Sequence, residues 1–494
     1  MKYLPSSVPF LMSHHKTDLS VADTPFVPDW NDIDELFVGL GRISDLENTQ
    51  LITAIKREEM DLVIKECANM KSPGLDGLTY EFYKKVWDVI GAKFVEVLQV
   101  QISRYRLVDS NSKGATKLIP KVEGIPRVDE LRPITLLNTD YKLLTKWMVL
   151  RLKPLMGKII RSGQLCNSGD KNILFGVQNI ISSMDYIKHN NLGAGLVSLD
   201  FFKAYDRLYL PFLLKVLSKM NFGKTFCSWI RMLHNGASTR FILSFLTREI
   251  FISFSIRQGD PLAMFLYVLY VEPLLLLLER RVTGLVFSSG QLPLNQSQPE
   301  ELKQVSEAFC DDINLLVTTD DDLHEIENSV VLFEKASGAI LSRIMKCLVL
   351  GLGSWSRREA WVLDFLRPVK ELKVFGIWLT NSYSKLLSIN WSRRIDKLKK
   401  SVYSWSGRFF ANIKQKIDVI NCFALSRIFY VASVLPITKV ALRTINSIIG
   451  DFIWRKSGRV LRIARDEIVN IESRGGLALL RLCVILWLCL KHLD

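Results

Sequence analysis

The sequence predicts an α+β fold whose last third is helical and basic. Three observations carry this. Short alternating or apolar runs of strand length recur through the first 380 residues. Apolar or amphipathic runs of helical length stand between them, at 141–160, 259–281 and 323–338. From about Asn390 to the end no strand signal recurs, and the pattern is helical and rich in Lys and Arg.

Taken in order, residues 1–30 are rich in Ser, Pro and Thr and read as a poorly ordered arm. Residues 31–70 are mostly helical in pattern, with Ile55, Met60, Ile64 and Cys67 near helical spacing. KSPGLDG at 71–77 ends that pattern, because Pro and two Gly favour a turn. Residues 117–137 read as a hairpin with a proline-marked loop, followed by a long amphipathic helix from about Tyr141 to Ile160. LGAGLVSLD at 192–200 is a buried strand that presents Asp200 at its end, and a helix follows from near Leu210. RFILSF and EIFISFSI, within 240–256, alternate and carry aromatics, which predicts a hairpin. Residues 259–281 are a buried helix, 288–301 a polar loop, and 305–319 a strand–turn–strand with Asp311 and Asp312 at the turn. A helix then ends at Gly338, and KCLVLGLG and KVFGIWL are two further short strands.

The chain has 494 residues, enough for about two to four domains. Hydrophobic residues make up 48% and charged residues 23%, a globular composition and not a disordered one. The net charge of +15 is unevenly placed. Residues 351–494 hold 25 Lys and Arg against 10 Asp and Glu, and the rest of the chain is neutral. A neutral body with a basic C-terminal part suggests a polyanion bound there. The eight Cys form no CxxC and stand near no His at zinc-finger spacing, which suits scattered thiols in a reducing compartment. The N-terminus has no apolar run of signal-peptide length. The apolar stretches 262–278 and 477–490 are interrupted by Glu272 with Pro273 and by Arg481, so both read as buried helices and no membrane partner is expected.

The informative constellation is Asp200, Asp311 and Asp312. If their strands are neighbours, three carboxylates converge. Packed like charges destabilise one another, and a divalent cation offsets that repulsion. Two such ions about 4 Å apart can activate a hydroxyl and stabilise leaving pyrophosphate, which is nucleotidyl transfer. An Asp-Asp pair alone is, in most proteins, only a solvated turn, so its surroundings must decide.

Those surroundings are SLDFFKAYDRL (198–208), IRQGDPL (256–262), AFCDD (308–312), EKASGAIL (334–341) and LKVFGIWL (372–379), in that order. Upstream stand KSPGLDGLTYEFYKK (71–85) and the segment 118–153. Downstream stand WSGRFF (405–410), FIWR (452–455) and RGGLALL (474–480). Together they resemble the successive motifs of reverse transcriptases, particularly those of LINE-type (non-long-terminal-repeat) retrotransposons, over about residues 55–490. The resemblance implies a right-hand polymerase with a palm built on an antiparallel sheet. It divides the chain into an N-terminal extension (1–54), fingers and palm (55–380), and a helical thumb and post-thumb region (381–494).

It also implies roles by position. Asp200, Asp311 and Asp312 would bind two Mg²⁺ ions, with Mn²⁺ as a substitute, and Phe201 would lend its backbone carbonyl. Tyr205 would lie under the incoming sugar and exclude a 2′-hydroxyl. Arg132 would grip the triphosphate, a task suited to a permanently charged planar donor. Lys117 and Lys121 are both candidates for the same phosphates. Gln258 and Gly259 would form the turn beside the templating base. Lys346 would protonate pyrophosphate, and Phe375 with Gly376 would form the primer grip. The cluster RRIDKLKK (393–400) would track a duplex backbone. The partners implied are an RNA template, a DNA primer and deoxynucleotides, with other element-encoded proteins supplying the endonuclease. The location implied by chromosomal targets is the nucleus.

The chain departs from the family in some places. Only about 55 residues precede the first motif, where LINE elements usually carry an endonuclease, and no Cys/His knuckle stands near the C-terminus. This predicts an isolated polymerase segment or a decayed or host-retained copy. Phe309-Cys310 stands where Tyr-Ala is commoner, QGDPLAM replaces QGDPLSP, and Ser342 stands where Asn is common. The alternative reading is a non-catalytic nucleic-acid-binding relic. A group II intron maturase fits less well, because no separate maturase or HNH-type signature is present.

Overall fold

The computed structural model describes residues 26–454, apart from 122–123, 128–129, 168–170, 253–254, 288–301, 345 and 411. The first 25 residues of the arm, the polar loop 288–301, the apolar stretch 477–490 and the RGGLALL segment lie outside the described residues. The strands in chain order are β1 (Lys113–Pro120), β2 (Leu131–Leu137), β3 (Gly193–Asp200), β4 (Ser238–Ile242), β5 (Ile250–Phe251), β6 (Leu285–Phe287), β7 (Leu302–Gln304), β8 (Ser306–Phe309), β9 (Asp312–Val317), β10 (Leu348–Gly353), β11 (Arg367–Pro368), β12 (Leu372–Val374) and β13 (Ile377–Leu379). The chain forms two compact units. One comprises the described residues of Met1–Asn172, Val197–Cys347 and Val362–Arg367, and the other those of Ile173–Leu196, Leu348–Trp361 and Pro368–Asp494.

In the first unit, β1 and β2 form the expected antiparallel hairpin, with Ile119 opposite Arg132 and Lys117 opposite Ile134. On its other side β1 runs parallel to β4, which pairs antiparallel with β5. Three hydroxyls tie these strands together: Thr116 Oγ1 lies 2.8 Å from Thr135 Oγ1 and 2.7 Å from Thr239 Oγ1, all buried. Cross-strand pairs of this kind contribute roughly 0.2–1 kcal/mol each. The helix Thr139–Ile159 follows β2 and anchors the KSPGLDG turn. Its Lys142 Nζ donates to the Ser72 carbonyl at 2.9 Å, and Thr139 Oγ1 donates to that of Leu78 at 2.5 Å.

The second sheet of this unit sets the C-terminal half of β3 beside β9, which pairs with β8. Behind it runs the helix Ala263–Arg281, buried through most of its length, Glu272 and Pro273 included. Its sequence is apolar all round because it has core on every side. Phe212, Tyr270 and Phe333, from three helices, meet edge to face with centroids 5.3–5.7 Å apart. Such pairs add about 0.5–1.5 kcal/mol each beyond their buried area. The helix Asp320–Ser337 starts with a capping box on Thr319 and Asp322 and stops at left-handed Gly338, as its sequence predicts. The arm ends in contact with this core. Phe26 packs edge-on to Tyr209, and Trp30 Nε1 donates to the Ala336 carbonyl.

The second unit holds the N-terminal half of β3, β10, and the hairpin β12–β13. Its helices include Ile173–His189, Tyr383–Ser406 and Lys439–Trp454. Two expectations are corrected here. KVFGIWL, a single strand by its local pattern, is the tight hairpin that the family motif implies, because Phe375 (φ 47) and Gly376 (φ 84) both turn through the left-handed region. The helical part begins at Tyr383, not near Asn390. The helices Tyr80–Ser103, Ile173–His189 and Lys224–His234 had no counterpart in the sequence reading. They are rich in aromatic and β-branched residues of weak intrinsic helix preference, and packing sustains them. Among the described residues no helix is long and apolar enough to cross a membrane.

Candidate active site

The site is built where β3 ends beside the β8–β9 turn. Asp200 is the last residue of β3. Phe309 pairs with Asp312 across the hairpin, so Cys310 and Asp311 are the two turn residues and Asp312 opens β9. Cys310 adopts φ 57, which turns the chain sharply enough to set Asp311 at the tip. The buried Gln164 braces that turn. Its Oε1 accepts from the backbone N–H of both Cys310 and Cys166, each at 3.1 Å. Cys166 Sγ and Cys310 Sγ lie 2.8 Å apart, both thiols free. Neither Gln164 nor this thiol contact was legible beforehand, since they join segments over 140 residues apart.

Asp311 is half-buried, and burial pushes its carboxyl above the ordinary range. Asp200 pushes it the same way, while Arg132 and Lys121 act against the rise. The sequence could not choose between Lys117 and Lys121. Both are exposed, and the charge of Lys121 acts on Asp311. Burial, with Lys346 and Arg132 nearby, lowers the Lys121 ammonium below its usual value. Asp200 Oδ2 accepts from Ser342 Oγ at 3.0 Å and ion-pairs with Lys346 Nζ at 3.1 Å. Ser342 had been noted only as a departure from the family pattern. Asp312 Oδ1 accepts from Asn314 Nδ2 at 3.2 Å.

Phe201 is buried, bridges to Leu341 and meets Phe333 edge-on. Tyr205 lies on a 3-10 turn and stacks on Tyr267 with centroids 4.7 Å apart. Burial, then the neighbouring Cys310, holds its phenol far above the usual range, so it is neutral. Gln258 and Gly259 lie against β2: the Gln258 carbonyl accepts from Thr135 N–H at 2.7 Å. Gly259 has φ 131, and a Cβ there would fall 2.2 Å from the Thr135 carbonyl oxygen, so only glycine fits. The adjoining Asp260 accepts from Tyr141 Oη at 2.7 Å, which fixes the turn to the helix after β2.

The structure therefore brings Asp200, Asp311, Arg132, Lys121 and Lys346 into one electrostatic neighbourhood. Phe375 and Gly376 belong to the second unit, where the Phe375 carbonyl accepts from Tyr430 Oη and the Gly376 carbonyl from Arg394 at 3.3 Å. In the cluster RRIDKLKK, Ile395 and Leu398 are buried while Arg393, Lys397, Lys399 and Lys400 are exposed. Its bases thus form one outward face.

Whether the acids fit a divalent cation can be judged from the donors. Among the described residues no three His, Cys, Asp or Glu groups are already gathered around one point. The Asp200 carboxylate instead holds the Lys346 ammonium. A cation on one carboxylate, with a second half-buried carboxylate repelled by it, is the charge balance that a hard divalent ion would also satisfy. The donor set fits.

A glycine turn locked onto one sheet and an acid-tipped hairpin on another, in a chain of mixed helices and sheets, suit a right-hand polymerase. The comparisons narrow this further. The reverse transcriptase (RNA-dependent DNA polymerase) family matches residues 119–377, and the chain belongs to it. A 149 kDa protein of transposon TX1 from Xenopus laevis is 29% identical over 85% of this chain and 32% of its own length. A Pol polyprotein of the type-1 retrotransposable element R2 from Popillia japonica is 23% identical over 51% of this chain and 41% of its own. Both relatives are proteins of transposable elements. The chain spans roughly a third to two-fifths of the length of these curated relatives. Among solved structures, apo telomerase from Candida tropicalis is similar over 59% of each chain, at 14% identity and a TM-score of 0.36.

Proposed function

We propose that this chain synthesises DNA on an RNA template, transferring nucleotidyl groups from deoxynucleoside triphosphates to a primer 3′-hydroxyl. The observation that carries the reading is the half-buried Asp311 with the charge of Asp200 nearby and Arg132 and Lys121 acting against the repulsion. Burying one carboxylate beside another is costly, and charge balance there is completed by substrate and cation.

In this reading Asp200, Asp311, Asp312 and the Phe201 carbonyl hold two Mg²⁺ ions. The chemistry such ions supply is activation of the 3′-hydroxyl and stabilisation of the leaving pyrophosphate. Arg132 and Lys121 bind the triphosphate, with Lys117 further out on β1. A guanidinium donates two parallel hydrogen bonds to phosphate and keeps its charge. Tyr205, held by its stack on Tyr267, presents a fixed neutral ring where the sugar would lie, leaving no room for a 2′-hydroxyl. Gln258 and Gly259 bring backbone close to the templating pair. Lys346 passes from Asp200 to the departing pyrophosphate and protonates it, help of a kind worth ~10²–10⁴-fold.

Residues 55–380 serve as fingers and palm and 381–494 as thumb, with the hairpin turn Phe375-Gly376 gripping the primer and the exposed bases of 393–400 following the duplex. Chromosomal DNA as primer source places the work in the nucleus, and other element-encoded chains would supply nicking.

The test is primer extension by the purified chain on an RNA template with a DNA primer, Mg²⁺ and deoxynucleotides. The parent should extend and Asp311→Ala should not, with template–primer still bound by both. No extension by either, with salt-dependent binding retained, would replace this reading with that of a nucleic-acid-binding relic.

A further inference from the structure

On the first unit, where β1 begins, a cleft of about 590 Å³ opens between the end of the helix Tyr80–Ser103, the start of β1 and the edge strand β5. Arg104, Arg106 and Lys113 line it. Among the described residues, none of their side chains makes a hydrogen bond or ion pair. Two aromatic rings stand in the same wall, Tyr105 and Phe251, 45% and 69% exposed. Exposed rings beside unpaired cations are unusual in a packed body, since both would gain by being covered. Tyr105 moreover adopts φ 49, a conformation uncommon for an aromatic residue. Of the two acids in the wall, Glu249 is already engaged by Ser238 Oγ and faces Arg240 at 3.8 Å. Asp109 is the other. The cleft is left net positive.

Its position adds a second argument. Lys113 and Lys117 stand four apart on β1, so strand alternation puts them on one face, and Lys121 directly follows the strand's last residue. Lys121 is the lysine whose charge reaches Asp311, and Lys113 is in the cleft. At about 3.3 Å per residue, the eight steps from Lys113 to Lys121 span at most ~26 Å. A row of ammonium groups thus leads from the carboxylates to the cleft, as a phosphate backbone would require.

We propose that this cleft binds an unpaired stretch of the template strand lying beyond the duplex. Its bases stack on Tyr105 and Phe251, and its phosphates are held by Arg104, Arg106 and Lys113. Flat rings and point charges without base-edge donors bind single strands without sequence preference. A protein segment of acidic character is the rival occupant. It would use the cations but would gain little from two separated rings. The proposal rests on the chain being a template-directed polymerase, and its test reads binding apart from synthesis.

The test compares binding, by fluorescence anisotropy, of two primer–template duplexes: one blunt, one carrying a 12-nucleotide single-stranded template extension. The parent should bind the extended duplex more tightly. Arg104→Ala with Arg106→Ala should remove most of that preference, about ten-fold, and flatten its salt dependence, while leaving the blunt duplex unchanged. Phe251→Ala should weaken the extended duplex at least five-fold with no change in salt slope. These residues are exposed, so folding is not at stake. Variants that bind the extended duplex like the parent would overturn the proposal and favour a protein occupant. Equal loss on both duplexes would also overturn it. If the parent binds the extension but extends no primer, the cleft stands and polymerisation falls.

Discussion

Replacing Glu272 by glutamine should shift this protein's stability in the variant's favour as pH rises from 5 to above 7. Glu272 lies in the helix behind the palm-type sheet with no exposed surface. Its Oε1 accepts from the Arg161 backbone N–H at 2.8 Å, and its Oε2 has no partner among the described residues. Burial pushes the carboxyl from 4.5 up to about 7, against a smaller opposing pull from Arg161. Below pH 4.5 the group is protonated folded and unfolded alike, and nothing is lost. Between 4.5 and 7 the folded state keeps a proton the unfolded state has released, so stability falls as pH rises. At 1.36 kcal/mol per pH unit the loss reaches about 3 kcal/mol above pH 7. Glutamine carries no charge and removes that slope. An amide nitrogen without a partner would cost a constant ~1–3 kcal/mol, the same at every pH. The assay is thermal melting of both chains from pH 5 to 8.5. The difference in Tm, variant minus parent, should grow by several degrees across that range. A flat difference would refute the reasoning. So would a gap that moves against the variant as pH rises, which would mean Glu272 is ionised and stabilised by Arg161.

Two further outcomes follow from the site. Tyr205→Ala should raise incorporation of ribonucleotides relative to deoxynucleotides by about 10–100-fold, the range that one lost steric contact supplies. The ratio of kcat/KM for the two substrates reads it, and an unchanged ratio would remove Tyr205 from the sugar site. Gly259→Ala must move either the turn or Thr135, since the added Cβ falls 2.2 Å from that carbonyl oxygen at a φ of 131. About 1–3 kcal/mol of strain is expected, with extension reduced more than ten-fold. Extension at the parent rate with an unchanged Tm would show that the turn has slack.

Much of the site was legible because its parts are local. Asp200 ends an apolar run, Asp311 and Asp312 follow another, and the glycine of RQG stands where backbone must approach backbone. Their order along the chain, more than any one of them, carried the family resemblance. The β1–β2 and β8–β9 hairpins were legible for the same reason: each is made by neighbours in sequence, with turn residues between them. At KVFGIWL only the family motif implied the hairpin, because a bulky aromatic such as Phe375 gives no local sign of a positive φ.

The composition and motif order thus determined the class of fold and the helical pattern from residue 383 to 454. Other features arise only when distant segments meet. Gln164 reaches the turn at Cys310 across 146 residues. Thr135 sets the need for glycine at 259, and Ser342 and Lys346 hold Asp200. Lys121 acts on Asp311, and Glu272 is a raised acid instead of an ordinary one. The physical reason is common to all of these. Side-chain identity is written locally, but burial, electrostatic neighbours and steric clearance belong to positions in space, and packing alone assigns those.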